Sequence, residues 1–155
     1  MVLGKGILMK KILSALMVGC VAGALFAADS AWITSVPDAK VKAEKEQKLV
    51  LLDFTGSDWC GWCKKLDAET FSKPEFVEYA KKNLVLVEVD FPNTKPQSDE
   101  LKAANKDLKD KYDVTGFPTL VLLRPDGTLL WKQVGYLQGG PAAMIAKLDK
   151  AKEKS

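Results

Sequence analysis

VLLDFTGSDWCGWCKKL, Val50 to Leu66, decides how the rest of the chain is read. It completes an apolar run, Lys48 to Phe54, of strand length and without the alternation of a half-exposed strand, the pattern of a central parallel strand covered on both faces. Thr55-Gly56-Ser57-Asp58 makes a turn, and Cys60 to Thr70 has helical spacing, with Leu66 and Ala68 among charged positions. A buried strand therefore delivers Cys60 and Cys63 to the start of a helix. They are the only cysteines outside an apolar N-terminal leader.

A thiol attacks as the thiolate, and the first turn of a helix offers unpaired N–H groups and partial positive charge to that anion. Cys60 is placed to be the nucleophile. Cys63, three positions on, is a helical neighbour whose sulfur can close a small disulfide ring. The spacing predicts an exposed, attacking Cys60 with a buried, resolving Cys63 behind it. Three other readings of a lone CxxC stay open at this point. Half of a zinc site would need four ligands, so a second copy of the chain; an inert disulfide would close only a short loop; and two soft thiolates could carry Cu(I) or zinc.

There is no histidine, which removes Ser-His and Cys-His nucleophile pairs and histidine metal ligands. The formal charge of +3 comes from Lys5, Lys10 and Lys11 in the leader; without them 20 bases face 20 acids. That balance, with Arg124 the sole arginine, argues against nucleic acid as a partner.

Lys10 and Lys11 precede an apolar run from Ile12 that ends in Ala27-Ala28, the layout of a secretory signal peptide. Residues 1–27 are read as that leader, with Met9 a possible true start and cleavage after Ala27; residues 28–155 are read as one domain. An uncleaved anchor, or lipidation at Cys20 within Met17-Val18-Gly19-Cys20, are the alternatives, and only these would bring the chain to a membrane. Export leaves one cysteine pair in an oxidising compartment, the bacterial periplasm in this reading, or else the medium.

Along the domain, Asp29 or Ser30 is expected to cap a short helix carrying Trp32 and Val36, with Pro37 opening a polar helix to Gln47. Ser72-Lys73-Pro74-Glu75 reads as a capping box for a helix through Lys81 that buries Phe76, Val77 and Tyr79 or Ala80. Leu84 to Val89 is a second strand. Ser98 or Asp99 caps a helix to about Tyr112 with Leu101, Ala104 and Leu108 on one face. Pro118 to Leu123 and Thr128 to Val134 form an antiparallel pair around Pro125-Asp126-Gly127, and a helix from Gly139 buries Met144, Ile145 and Leu148. The order α, β, α, α, β, α, β, β, α makes an α/β sandwich with a mixed sheet of about four strands flanked by helices.

With YDVTGFPTLVLL and RPDGTLL downstream, VLLDFTGSDWCGWCKKL resembles the thioredoxin superfamily from about Leu49 onward. The resemblance implies that Cys60 is the nucleophile, Cys63 the resolving cysteine and Trp59 the ring flanking them. It implies a cis Pro118 against the disulfide, with the backbone of Phe117 pairing to an extended substrate. Asp53 matches the buried carboxylate that helps deprotonate the resolving cysteine; the alternative for Asp53 is a solvent-facing strand end. Three departures stand out. FTGSDW is one residue longer than the thioredoxin turn, Gly61-Trp62 replaces Gly-Pro, and the lysine that partners the buried Asp is missing from LVLVEVD.

The DWCxxCK context is similar to exported thioredoxin-like reductase domains, and GFPT to protein disulfide isomerases. The expectation is a monomeric, exported thiol-disulfide oxidoreductase, reductase rather than oxidase. It would exchange electrons with protein thiols and disulfides and with a recycling redox partner, using no cofactor or metal beyond its cysteine pair. The alternative is a non-catalytic peptide-binding or chaperone module that uses Trp59, Trp62, Phe117 and Pro118.

Overall fold

The run that opens the deciding stretch is the middle of a five-stranded sheet. The computed structural model describes residues 31–153; the leader, Met9, Cys20 and the expected Asp29 or Ser30 cap lie outside the described residues. The elements are β1 (Trp32–Ile33), α1 (Val36–Glu46), β2 (Leu49–Thr55), α2 (Gly61–Leu66), a π-helical turn (Asp67–Phe71), α3 (Pro74–Asn83), β3 (Leu84–Asp90), α4 (Asp99–Lys111), β4 (Thr119–Leu123), β5 (Leu129–Val134) and α5 (Gly140–Glu153). Their sheet order is β1-β3-β2-β4-β5, with β1 and β2 parallel to β3, and β4 antiparallel to β2 and β5.

β2 is hydrogen-bonded on both edges and covered on both faces, which is why its sequence shows no alternation. The period of two still sorts its side chains. Val50, Leu52 and Phe54 enter one core with Ala39, Ala43, Val87 and Val121. Leu51 enters the other with Leu66, Phe76, Leu86, Leu120 and Met144. Asp53 has the parity of Leu51, so it faces the layer that carries α2 and the cysteines. That parity positions the site.

The α/β sandwich is as expected, with one strand more. Trp32 and Ile33 are the short edge strand β1, not a helix: they pair with Leu86 and Val87, and the pleat sends Trp32 onto Phe71 (ring centroids 5.1 Å apart) while Ile33 packs on the opposite core. One residue for each face, and cover for the free edge of β3, outweigh a lone helical turn. α1 starts at Val36 with Ser35 accepting from the amide of Asp38 and Pro37 in its first turn.

Two other helix expectations need correction. Ser72 does not cap α3; Lys73 is the N-cap and no side chain bonds there. The chain is still closing the π-helical turn, with the Ser72 amide on the carbonyl of Asp67, so the box is one residue out of place. α3 buries Phe76 and Ala80, while Val77 and Tyr79 are half-buried. In α4 the buried residue is Asn105, whose amide donates to the carbonyl of Asp90 at 2.9 Å; Leu101 and Leu108 are half-buried and Ala104 is exposed. The apolar face is thus centred on a hydrogen bond to the end of β3.

Ser98 does cap α4, its hydroxyl accepting from the amide of Leu101 at 3.2 Å. Ser98→Ala is expected to lower the unfolding free energy by about 1 kcal/mol, read as a lower urea midpoint at unchanged slope.

Candidate active site

Cys60 and Cys63 form a disulfide with Cα atoms 5.3 Å apart. Cys60 is the N-cap of α2, and its sulfur accepts from the amide of Cys63 at 3.2 Å. The spacing led to an exposed Cys60 in front of a buried Cys63, but each keeps 5% of its surface. What differs is their surroundings. Cys63 lines a pocket of about 300 Å³ together with Trp32, Asp53, Asp67 and Glu88. Cys60 follows directly on Trp59, one of several aromatic residues carried by this turn and by the loops after β3 and before β4.

Those aromatics form two groups. The Trp59 indole donates to the carbonyl of Phe91 at 2.8 Å and meets Phe117 edge-on at 5.8 Å, and Phe117 lies 5.2 Å from Phe91. Gly56 is required under Trp59, since a Cβ there would come within 2.4 Å of the indole. Trp62, 58% exposed, stacks at a tilt on Tyr136 at 5.5 Å, and the Lys65 ammonium lies 5.3 and 5.1 Å from the two rings. The Tyr136 hydroxyl donates to Glu69. Trp62, Phe117, Tyr136 and Gln138 line an open groove of about 330 Å³. Phe117–Pro118 is a cis peptide bond, and the Pro118 carbonyl accepts from the amide of Gly135 at 2.8 Å.

Asp53 is buried, not solvent-facing: it keeps 9% of its surface, and its Oδ1 has no hydrogen-bond partner among the described residues. Burial first, then the negative charges of Glu88, Asp67 and Asp90, push its carboxyl up to about 8. Glu88, in register with Asp53 on β3, is likewise pushed up, by burial and then by Asp90, against the opposing pull of Lys95.

The longer FTGSDW turn is held by contacts that the motif does not display. Asp58 accepts from the amides of Asn93 (2.9 Å), Thr94 (2.6 Å) and Lys95 (3.2 Å) and from the Thr94 hydroxyl (2.7 Å). These bonds hold its carboxyl far below the usual range. Ser57 donates from its amide and hydroxyl to the two oxygens of Asp90, and the Lys64 ammonium reaches the Asp58 carbonyl. These bonds dock the turn onto the end of β3 and the loop after it. Asp58→Ala is expected to raise amide exchange at Asn93 and Thr94 by about tenfold, the scale of losing one charge-assisted bond, without changing the exchange of β2.

The structure thus brings Cys60, Cys63 and Asp53 into one site, with Trp59, Trp62, Phe117 and Pro118 on its aromatic side. Sequence reasoning missed Asp58, Tyr136 and Glu88. For Glu88 a signal existed, because an acid at the parity of Leu84 and Leu86 in LVLVEVD must face inward. Among the described residues no cluster of histidine, cysteine or carboxylate side chains is arranged to hold a metal ion, and no helix is long and apolar enough to cross a membrane.

The family profile described as "Thioredoxin-like domain" matches residues 36–152. The chain is 39% identical to the "Disulfide bond reductase DsbH" of Chlamydia pneumoniae over 125 residues, which is 81% of this chain and 74% of that protein. A solved structure described as "DsbH Oxidoreductase" superposes with a TM-score of 0.72 at 38% identity, covering 77% of this chain and 82% of the other. The reduced DsbD C-terminal domain of Neisseria meningitidis superposes with a TM-score of 0.57 at 26% identity, covering 74% and 91%.

Proposed function

We propose that this chain, which belongs to the thioredoxin-like family and is a thiol-disulfide oxidoreductase, acts after export as a reductase of protein disulfides. In the reduced enzyme the Cys60 thiolate attacks a substrate disulfide. One substrate sulfur leaves as a thiolate, and a mixed disulfide joins Cys60 to the other. Cys63 loses its proton to Asp53 and attacks the Cys60 sulfur, releasing the second substrate thiolate and closing the Cys60–Cys63 bond. Two electrons pass to the substrate, which takes up two protons, and a recycling redox partner must return the electrons. Trp59, Trp62, Phe117 and Pro118 supply the surface along which an extended substrate would lie.

The observation that carries the direction is the acidic surrounding of Cys63, lined by Asp53, Asp67 and Glu88. A poorly solvated pocket lined by carboxyls, with Lys64 the one cation among its lining residues, gives a Cys63 thiolate little stabilisation, so the reduced pair gives up its electrons readily. The reductase name carried by the Chlamydia relative agrees in direction. Equilibration with thiol redox buffers is expected to give a potential below about −200 mV; a value near −120 mV would mark an oxidant and overturn the reading.

Export is supported by the leader. Expression of the full chain in a bacterial host should yield a periplasmic protein beginning at Ala28, read by intact mass. Retention of residues 1–27 or a lipid adduct on Cys20 would overturn cleavage after Ala27.

A further inference from the structure

β2 and β3 run parallel with Asp53 directly opposite Glu88, and in-register neighbours of a parallel pair project from the same face of the sheet. Both carboxyls line the pocket that Cys63 also lines. Asp53 is the deep member, with an oxygen that no described residue satisfies. Glu88, half-buried, is the more exposed member. The other charges facing them are Asp67 from the π-helical turn, Asp90 from the end of β3, Lys64 from α2 and Lys95 from the loop beyond β3. Asp90 is already engaged by Ser57, and the Lys64 ammonium by the Asp58 carbonyl.

We propose that Glu88 is the second carboxyl of a proton-handling pair with Asp53, the two holding one proton between them across neighbouring strands and passing to solvent the proton that Cys63 releases. The inference rests on the reading of Cys63 as the resolving thiol and adds a residue that reading does not use. Two carboxyls in one poorly solvated pocket do not both ionise readily, so they titrate as a coupled pair. The proton bookkeeping is complete within the pocket: as the Cys63 sulfur bonds to Cys60, its proton passes to Asp53, then to Glu88 and out, while the departing thiolate takes a proton from solvent. Glu88 sits in register with Asp53 on the neighbouring strand. It is a positioning residue acting through Asp53.

The test uses the reduced protein and the chromogenic aromatic disulfide 5,5′-dithiobis(2-nitrobenzoate), which releases one thiolate when Cys60 attacks and a second when Cys63 resolves. The second phase is followed from pH 5 to 9.5. Glu88→Gln is expected to move its midpoint down by about one pH unit or more, as removal of a neighbouring like charge requires. Glu88→Asp should retain the wild-type midpoint. In an Asp53→Asn background the Glu88→Gln effect should fall below half its size. A uniform rate loss with an unmoved midpoint, or a displacement that persists in full without Asp53, would overturn the pair.

Carboxyl ¹³C titration of the oxidised protein, in which the cysteines do not ionise, gives a second reading independent of turnover. The Asp53 midpoint should fall in Glu88→Gln, and an unmoved one would overturn the proposal. Absence of the first phase would count against Cys60 as nucleophile and leave this titration to decide the carboxyl pair.

Discussion

Cys60→Ser lowers turnover of a protein disulfide by roughly a thousandfold or more, whereas Cys63→Ser leaves the first attack intact and accumulates a mixed disulfide on Cys60. The two variants remove the same bond from the oxidised protein, so a purely structural staple would make them equivalent. Their asymmetry is the expected signature. The serine hydroxyl is not ionised at neutral pH and cannot replace the Cys60 thiolate, while at position 63 it leaves the mixed disulfide without an attacker. Non-reducing electrophoresis after mixing with a disulfide-containing protein reads both outcomes. A Cys60→Ser protein with full turnover would end the oxidoreductase mechanism; peptide binding that survives loss of both cysteines would favour the chaperone reading.

Asp53→Asn stabilises the oxidised protein above pH 8 and slows resolution. Burial and three neighbouring carboxylates raise the Asp53 carboxyl to about 8 from an ordinary 3.8. The folded state therefore disfavours the charged form. The stability that the neutral acid allows is fully present below about pH 3.8, falls as pH rises towards 8, and is absent beyond. Every tenfold weakening of an acid on folding corresponds to about 1.4 kcal/mol, and after allowance for relaxation around a charge in the pocket the gain above pH 8 should be about 2–4 kcal/mol. Guanidinium unfolding of both oxidised proteins should show that gap at pH 8.5 and almost none at pH 4. The same change removes the proton acceptor for Cys63. The second thiolate should then be released about a hundredfold more slowly at pH 8.5, where the wild-type Asp53 carboxyl is ionised and can accept a proton, the lower end of what a positioned base contributes. A protein that is both more stable and slower is the usual result of removing a buried group kept for chemistry.

How much of this could be read from residues alone depends on where each signal is local. β2 was legible because a strand covered on both faces, with six of its seven residues buried, leaves an apolar run without alternation, and α2 because the turn and the cysteines follow it directly. The sandwich and its antiparallel β4–β5 pair were legible for the same reason, Pro125-Asp126-Gly127 making the reversal, with Gly127 at φ +98° where other residues are strained. β1 was not legible, since a two-residue edge strand exists only by pairing with β3, far along the chain.

The site divides in the same way. Cys60, Cys63, Asp53 and Pro118 each sit in a motif that marks them. Glu88 gains meaning only from its register with Asp53, and Asp58 only from the amides of Asn93 to Lys95 that converge on it. The equal burial of the two cysteines is set by tertiary packing, which no local spacing encodes.

The docking of Asp58 and Ser57 onto residues 90–95 also bears on transplantation of this redox turn. A graft of TGSDWCGWC into another scaffold would carry the sulfurs but leave behind the amides that hold the turn and the carbonyl that anchors the indole. The smallest portable unit is therefore two-part, the turn together with Asp90 to Lys95. A host lacking the second part should present the same cysteines on a loose tether.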